Sequence, residues 1–222
     1  SEIDDFPDHP FKVMLDEDMD QLVQSIKERG IITPITLRQK EDGRYEIVSG
    51  HRRKKACELA GLETVKSEIK ELTRDEAIIL MVESNYQRSS ILPSEKAFAY
   101  KMRLEAMKRQ GQRSDLTLSP VETKLRTSEM IAQSSGDSRA QVDRYIRLTE
   151  LSPDLLNMVD ETRIAFRPAV ELSYLKEDEQ QSLLEAMTYA DATPSLAQAI
   201  KMKEFSKNGK LTPEVMESIM GE

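Results

Sequence analysis

A chain of 222 residues has room for one or two domains with real cores, and 32% charged residues, few aromatics and no Trp favour small helical domains over one large core. One Cys excludes a disulfide framework and a cysteine-rich zinc site, and no apolar run nears the roughly 18 residues of a membrane span. The net charge of −8 argues at first against nucleic acid, but it divides as −6 for residues 1–48, +1 for 49–100, +3 for 101–150 and −6 for 151–222, so a polyanion is expected at the centre. With no secretory signal in view, the expected compartment is the cytoplasm. The abrupt ends read as those of an expressed fragment.

In chain order, residues 1–17 are expected to be extended, since Pro7 and Pro10 oppose a helix. A helix starts at Asp18, carries Met19, Leu22, Val23 and Ile26 on one face and ends at Gly30. Pro34 to Arg38 reads as a strand, Glu41 to Arg44 as a hairpin turn, and Tyr45 to Ser49 as the returning strand, with period-two alternation. Gly50 lets the backbone turn tightly into a helix with Ala56, Leu59 and Ala60 on its apolar face, closed at Gly61. Val65 to Ile69 reads as a further strand, and Thr73 with Glu76 as a capping box. A long helix from Ser94 to Gln110 precedes a polar, irregular linker over residues 111–126. After Ser152 the chain reads as helices near 152–160, 167–175, 177–190, 194–205 and 213–220, acidic outside and without a catalytic motif.

Three stretches point to chemistry. His51, Arg52, Arg53, Lys54 and Lys55 crowd a helix N-terminus, where the backbone dipole is already positive. Such a cluster suits a phosphate, or else is a solvated basic face that starts early. Asn85, Gln87 and Arg88 form a polar cluster at a helix end, which by itself reads equally as a terminus running into a solvated loop. Thr127 to Leu148 fits a helix-turn-helix, with Ala132, Gly136 and Val142 at the expected separations and Ile131 and Tyr145 as further core. Asp137 or Ser138 can cap its second helix, whose polar residues are Ser138, Arg139, Gln141, Arg144 and Arg147. The alternative is an αα-hairpin that touches no DNA. Arg109, Arg113, Lys124 and Arg126 are candidate phosphate contacts.

These stretches together resemble the ParB family of plasmid and chromosome partition proteins over nearly the whole chain. IVSGHRRKKA is similar to the family's box GERRxxA, with Gly50, Arg52, Arg53 and Ala56 matching and His51 in the Glu position. ESNYQR is similar to ENxQR, with Asn85, Gln87 and Arg88 matching, Ser84 in the Glu position and Glu83 one residue early. Ser25 to Arg38 resembles the opening box, whose proline is Pro34. The resemblance implies an α+β fold, a small mixed-sheet domain followed by an all-α helix-turn-helix domain. The expected division is residues 1–92 for nucleotide binding, 93–126 for a connecting helix and linker, and 127–222 for DNA binding.

It also implies CTP as a switch, held by Gly50, His51, Arg52, Arg53, Asn85, Gln87 and Arg88, with an accompanying Mg²⁺ and the metal ligands left open. Ser84 in place of Glu leaves at most slow CTP hydrolysis. The implied partners are double-stranded DNA with a centromere-like inverted repeat, a second copy of the chain and a ParA-type ATPase, with no membrane, in a cytoplasm-located, nucleoid- or plasmid-associated protein. The family's separate C-terminal dimerisation domain is not visible after residue 210. Two alternatives stand beside this reading. Sulfiredoxin, of the same superfamily, needs a Cys where Gly50 stands. A helix-turn-helix regulator or nucleoid-associated protein would lack the nucleotide switch.

Overall fold

The computed structural model describes residues 2–88, 90–114 and 120–221, with side chains 112–125 outside the description. The first elements are β1 (Ile3–Asp4), α1 (Glu17–Arg29), β2 (Ile35–Gln39), β3 (Tyr45–Ser49), α2 (His51–Leu59), β4 (Ser67–Lys70) and α3 (Arg74–Asn85). Helices α4 (Pro93–Ser114), α5 (Pro120–Ser135) and α6 (Arg139–Arg147) follow. The rest is α7 (Pro153–Asp160), α8 (Phe166–Leu172), α9 (Glu177–Ala190), α10 (Leu196–Lys207) and α11 (Pro213–Met220). The α+β class expected from the sequence holds. By contacts the chain forms two compact units, Ser1–Ser89 with Met102–Ser135 and Ser90–Lys101 with Gly136–Glu222.

In the first unit the sheet order is β1-β3-β2-β4. The β2–β3 hairpin is antiparallel, and its two outer strands run parallel to their neighbours. Ile35, Leu37 and Ile47 form the sheet's buried cluster, while α1 and α2 meet through Met19, Ile26, Ala56 and Cys57. Two features differ from the period-based expectation. Strand β3 is covered on both faces, because Glu46 is buried as well as Ile47 and Val48. Its carboxylate accepts a 2.6 Å bond from Arg38 Nε and faces Arg74 at 3.9 Å, so a charged residue fits where alternation asks for solvent. In α2 the buried pair is Ala56 and Cys57, and Leu59 is exposed, because the helix turns a different stripe toward α1.

The stretch 111–126, read as an irregular linker, is largely helical. Helix α4 continues to Ser114 and α5 begins at Pro120, a residue suited to a first helical turn. The polar composition there signalled solvent rather than loop. Residues 115–119 of that expected linker lie outside the described residues. In the second unit, Leu148, Leu155, Leu172, Leu183 and Met202 are among the side chains of one apolar core that α7 to α11 enclose together with Ala97. Asp160 accepts from the backbone N–H of Ser94 at 2.9 Å, satisfying one of α4's orphan donors.

One buried charge holds three elements of the first unit together. Arg103 of α4 is 4% exposed, and it donates to Glu83 of α3 at 2.5 Å, to the Tyr86 hydroxyl at 2.8 Å and to the Ser134 hydroxyl of α5 at 2.6 Å. Glu83 is the only carboxylate in that set. Glu83→Ala should therefore destabilise the chain by about 3 kcal/mol by leaving a buried guanidinium unpaired, while Arg103→Met should cost distinctly less. Urea unfolding of the two variants checks the order. A larger loss for Arg103→Met would contradict it.

Candidate functional site

The turn from β3 into α2 has one geometry open to it. Gly50 is the N-cap of α2 with φ of 98°, a left-handed conformation that side chains rarely adopt. A Cβ there would stand 2.8 Å from Ile35 Cγ2 and 3.1 Å from Arg53 Nη2. The cap offers no side-chain acceptor, and no acidic residue lies in the first helical turn. The first N–H groups of this end thus lack both a capping side chain and a first-turn carboxylate.

Around that turn lies a cavity of about 180 Å³ lined by His9, Phe11, Lys12, Val13, Ser49, Gly50, His51, Arg52, Arg53, Ser84, Asn85 and Arg88. Six of the seven residues expected to hold a nucleotide line it: Gly50, His51, Arg52, Arg53, Asn85 and Arg88. Gln87 does not line it, and is exposed. At the last turn of α3 the side chain of Ser84 donates to the Met81 carbonyl at 2.9 Å and that of Asn85 does so at 2.8 Å. Glu83, one residue before Ser84, is absent from the lining and is engaged by Arg103. Neighbouring helical positions point about 100° apart, so Glu83 and Ser84 face different surroundings.

The arginines are held differently from one another. Arg53 donates to the carbonyls of Thr33 and Pro34, both at 2.6 Å, which fastens the α2 N-terminus to the segment entering β2. Arg52 Nη2 lies 3.7 Å from Asp16, the N-cap of α1, while its Nε is buried with no hydrogen-bond partner. Arg88 donates to the Lys12 carbonyl at 3.2 Å and lies over the Phe11 ring. Lys54 and Lys55 turn to Glu58, and Lys54 also to Asp5. The basic cluster therefore divides into arginines facing the cavity and lysines spent on carboxylates.

Sequence reasoning missed the segment that closes the cavity opposite the turn. His9, Phe11, Lys12 and Val13 sit in an extended stretch whose only signal was Pro10. The His9 ring stacks on His51 with centroids 3.7 Å apart. His51 Nε2 is buried without a hydrogen-bond partner, and burial, with His9 beside it, pushes its pKa down to about 3. Cys57 is buried, and desolvation raises its thiol pKa, so it is a packing residue rather than a nucleophile. Among the described residues, no three His, Cys, Asp or Glu side chains group to hold a metal ion.

At the expected helix-turn-helix, α5 ends at Ser135, Gly136 takes φ of 78°, and α6 starts at Arg139 with Ser138 as its N-cap. Asp137 is no cap; it accepts from the Tyr100 hydroxyl at 2.6 Å and pairs with Lys96 at 2.7 Å. Ser138 and Arg139 are exposed, Arg139 lies 3.8 Å from Asp143, and Gln141 and Arg144 contact one another at 3.4 Å. Arg147 is turned elsewhere. It donates to the Ser173 hydroxyl and carbonyl at 3.1 and 2.6 Å and lies 4.1 Å over Tyr174, anchoring α6 to the end of α8. Arg109 is paired with Asp75 at 2.8 Å, Arg126 is exposed, and the Arg113 and Lys124 side chains lie outside the described residues.

Two stability predictions follow from this geometry. Gly50→Ala should cost about 2–4 kcal/mol through the left-handed backbone and the clash with Ile35. Gly43→Ala, at φ of 82° with open space around it, should cost only about 1–2 kcal/mol; equal losses in urea unfolding would contradict the packing argument. Arg147→Ala should lose about 1–3 kcal/mol with its bonds to Ser173 and the Tyr174 face. Arg144→Ala should stay within about 0.5 kcal/mol of the parent. Thermal unfolding distinguishes the pair, and an equal loss would remove the anchoring role of Arg147.

Two family models match the chain, the ParB N-terminal domain over residues 1–86 and the ParB HTH domain over residues 121–206. The chromosome-partitioning protein Spo0J of Thermus thermophilus is 32% identical over 174 residues, covering 78% of this chain and 58% of that one. The chromosome-partitioning protein ParB of Caulobacter vibrioides is 35% identical over 150 residues, covering 67% and 43%. The chain thus spans about half the length of the curated relatives it matches. A solved structure of C-terminally truncated ParB from Caulobacter crescentus, complexed to the centromeric parS site, is similar in fold, with a TM-score of 0.50 and 24% identity over 99% of this chain and 95% of that one.

Proposed function

This chain belongs to the ParB family, and from that premise we propose that it is a partition protein that binds a centromere-like inverted repeat as a homodimer and carries a CTP-responsive switch. The nucleotide domain corresponds to residues 1–92 and the DNA-binding domain to residues 127–222. The observation that carries the nucleotide half is the meeting of two distant sequence boxes, at Gly50 to Arg53 and at Ser84 to Arg88, on one cavity. Two features of that cavity fit a phosphate chain. The floor at Gly50 has no room for a Cβ, leaving the backbone N–H groups approachable, and a buried Arg52 Nε stands without an acceptor. The cavity is smaller than the roughly 300–1,000 Å³ of a whole small-molecule cleft, which suits the phosphates with the nucleoside toward solvent.

With Arg147 and Arg109 held by structural partners, Ser138, Arg139, Gln141 and Arg144 are the residues of α6 left to meet bases, and Arg126 with Arg113 and Lys124 to meet phosphates. Slow or absent hydrolysis is expected, since Ser84 brings no charge and Glu83 is committed to Arg103. A companion Mg²⁺, a ParA-type ATPase partner and residence on the nucleoid or a plasmid belong to the same reading.

Calorimetric titration of CTP into the full chain should show saturable binding, weakened roughly ten- to a hundredfold in Arg88→Ala by loss of a charge-assisted contact. No CTP binding by the parent at millimolar concentration would leave the helix-turn-helix regulator without a nucleotide switch as the better reading.

A further inference from the structure

The chain has two histidines in 222 residues, and they stack on each other inside the candidate nucleotide site. His51 occupies the first helical position after Gly50, so its ring is fixed by the same turn that opens the helix N-terminus. Stacking with His9 at 3.7 Å fixes it from the other side. A buried imidazole nitrogen with no hydrogen-bond partner is costly unless a ligand supplies one. We infer that His51 contacts the anionic ligand directly, its Nε2–H donating to a phosphate oxygen as the ring takes a proton from solvent, with His9 as the positioning residue.

The charges around His51 give the sign. From α2, Arg52, Arg53, Lys54 and Lys55 lie near it, with Glu58 two turns on; from the segment before α1 come Asp5, His9 and Lys12, and Arg88 follows α3. Cations outnumber the two carboxylates, and both carboxylates are already paired with Lys54. In the free protein burial, with His9 and Lys54 beside it, keeps the ring neutral. A triphosphate in the cavity reverses the field, because several negative charges would lie within the reach of Nε2. The pKa of His51 then rises on binding, so the ligand carries a proton into the complex. By linkage, affinity gains a proton-linked part as pH falls through the bound-state pKa, and that part alone is lost as pH rises above it.

This inference rests on the nucleotide reading, and its test separates the two. Calorimetry at pH 6.5 in two phosphate-free buffers of different ionisation enthalpy gives the protons taken up per CTP bound. Comparing the parent chain with His51→Gln cancels the protons contributed by the nucleotide itself. The parent should take up about 0.3–1 proton more than the variant. Nitrogen NMR of the parent's two imidazoles provides a second readout that needs no variant. On saturation with CTP, the His51 nitrogens should move to imidazolium positions. Binding of CTP with His51 still neutral, or with equal proton uptake in parent and variant, overturns the inference and leaves the nucleotide site standing. Failure of the parent to bind CTP overturns both.

Discussion

No side chain fits at position 50. The left-handed backbone and the Ile35 methyl group together exclude a Cβ, so the chain can leave β3 and enter α2 only through glycine. That restriction sets the N-terminus of α2 beside the cavity, with Arg52 and Arg53 in its lining. Were the turn relaxed by a residue with a side chain, Ile35 would have to move, and Ile35 is wholly buried in the sheet's core. Packing in the sheet and chemistry at the helix end are therefore one constraint.

Around this turn the first unit is fastened by charges as well as by apolar packing. Arg53 ties α2 to the carbonyls before β2, Glu46 ties β3 to Arg38 and reaches Arg74 at the start of α3, and Arg103 gathers α3 and α5 onto α4. Glu46 and Arg103 are buried charges, for which a missing partner costs far more than the pair contributes, while Arg53 is half-buried. The arrangement specifies position as much as it stabilises. In the second unit the apolar side chains form one core, where α7 to α11 close over Leu155, Leu172 and Leu183.

Much of this was legible in the sequence because local chemistry and tertiary role agree. Gly50, the Thr73–Glu76 capping box, the EDGR turn and the Pro-started helices all appear where their residue types demand. The misreadings share a cause. Arg147 and Arg109 were read from type and spacing as DNA-facing, but long charged side chains can turn to partners distant in sequence, here Ser173 and Asp75. Composition at 111–126 signalled polarity, and a polar sequence is compatible with a helix as well as with a loop. The His9–Val13 wall left almost no mark, since an extended segment that packs through four mixed residues has no period.

The central claim is that the turn at Gly50 and the end of α3 form one anion site. Amide shifts of the ¹⁵N-labelled full chain during CTP titration test it most directly. The account predicts that amides of residues 50–54 and 84–88 shift together along one saturation curve, with residues 9–13 following. Shifts confined to α6 or to the second unit, or separate curves for the two boxes, would contradict it.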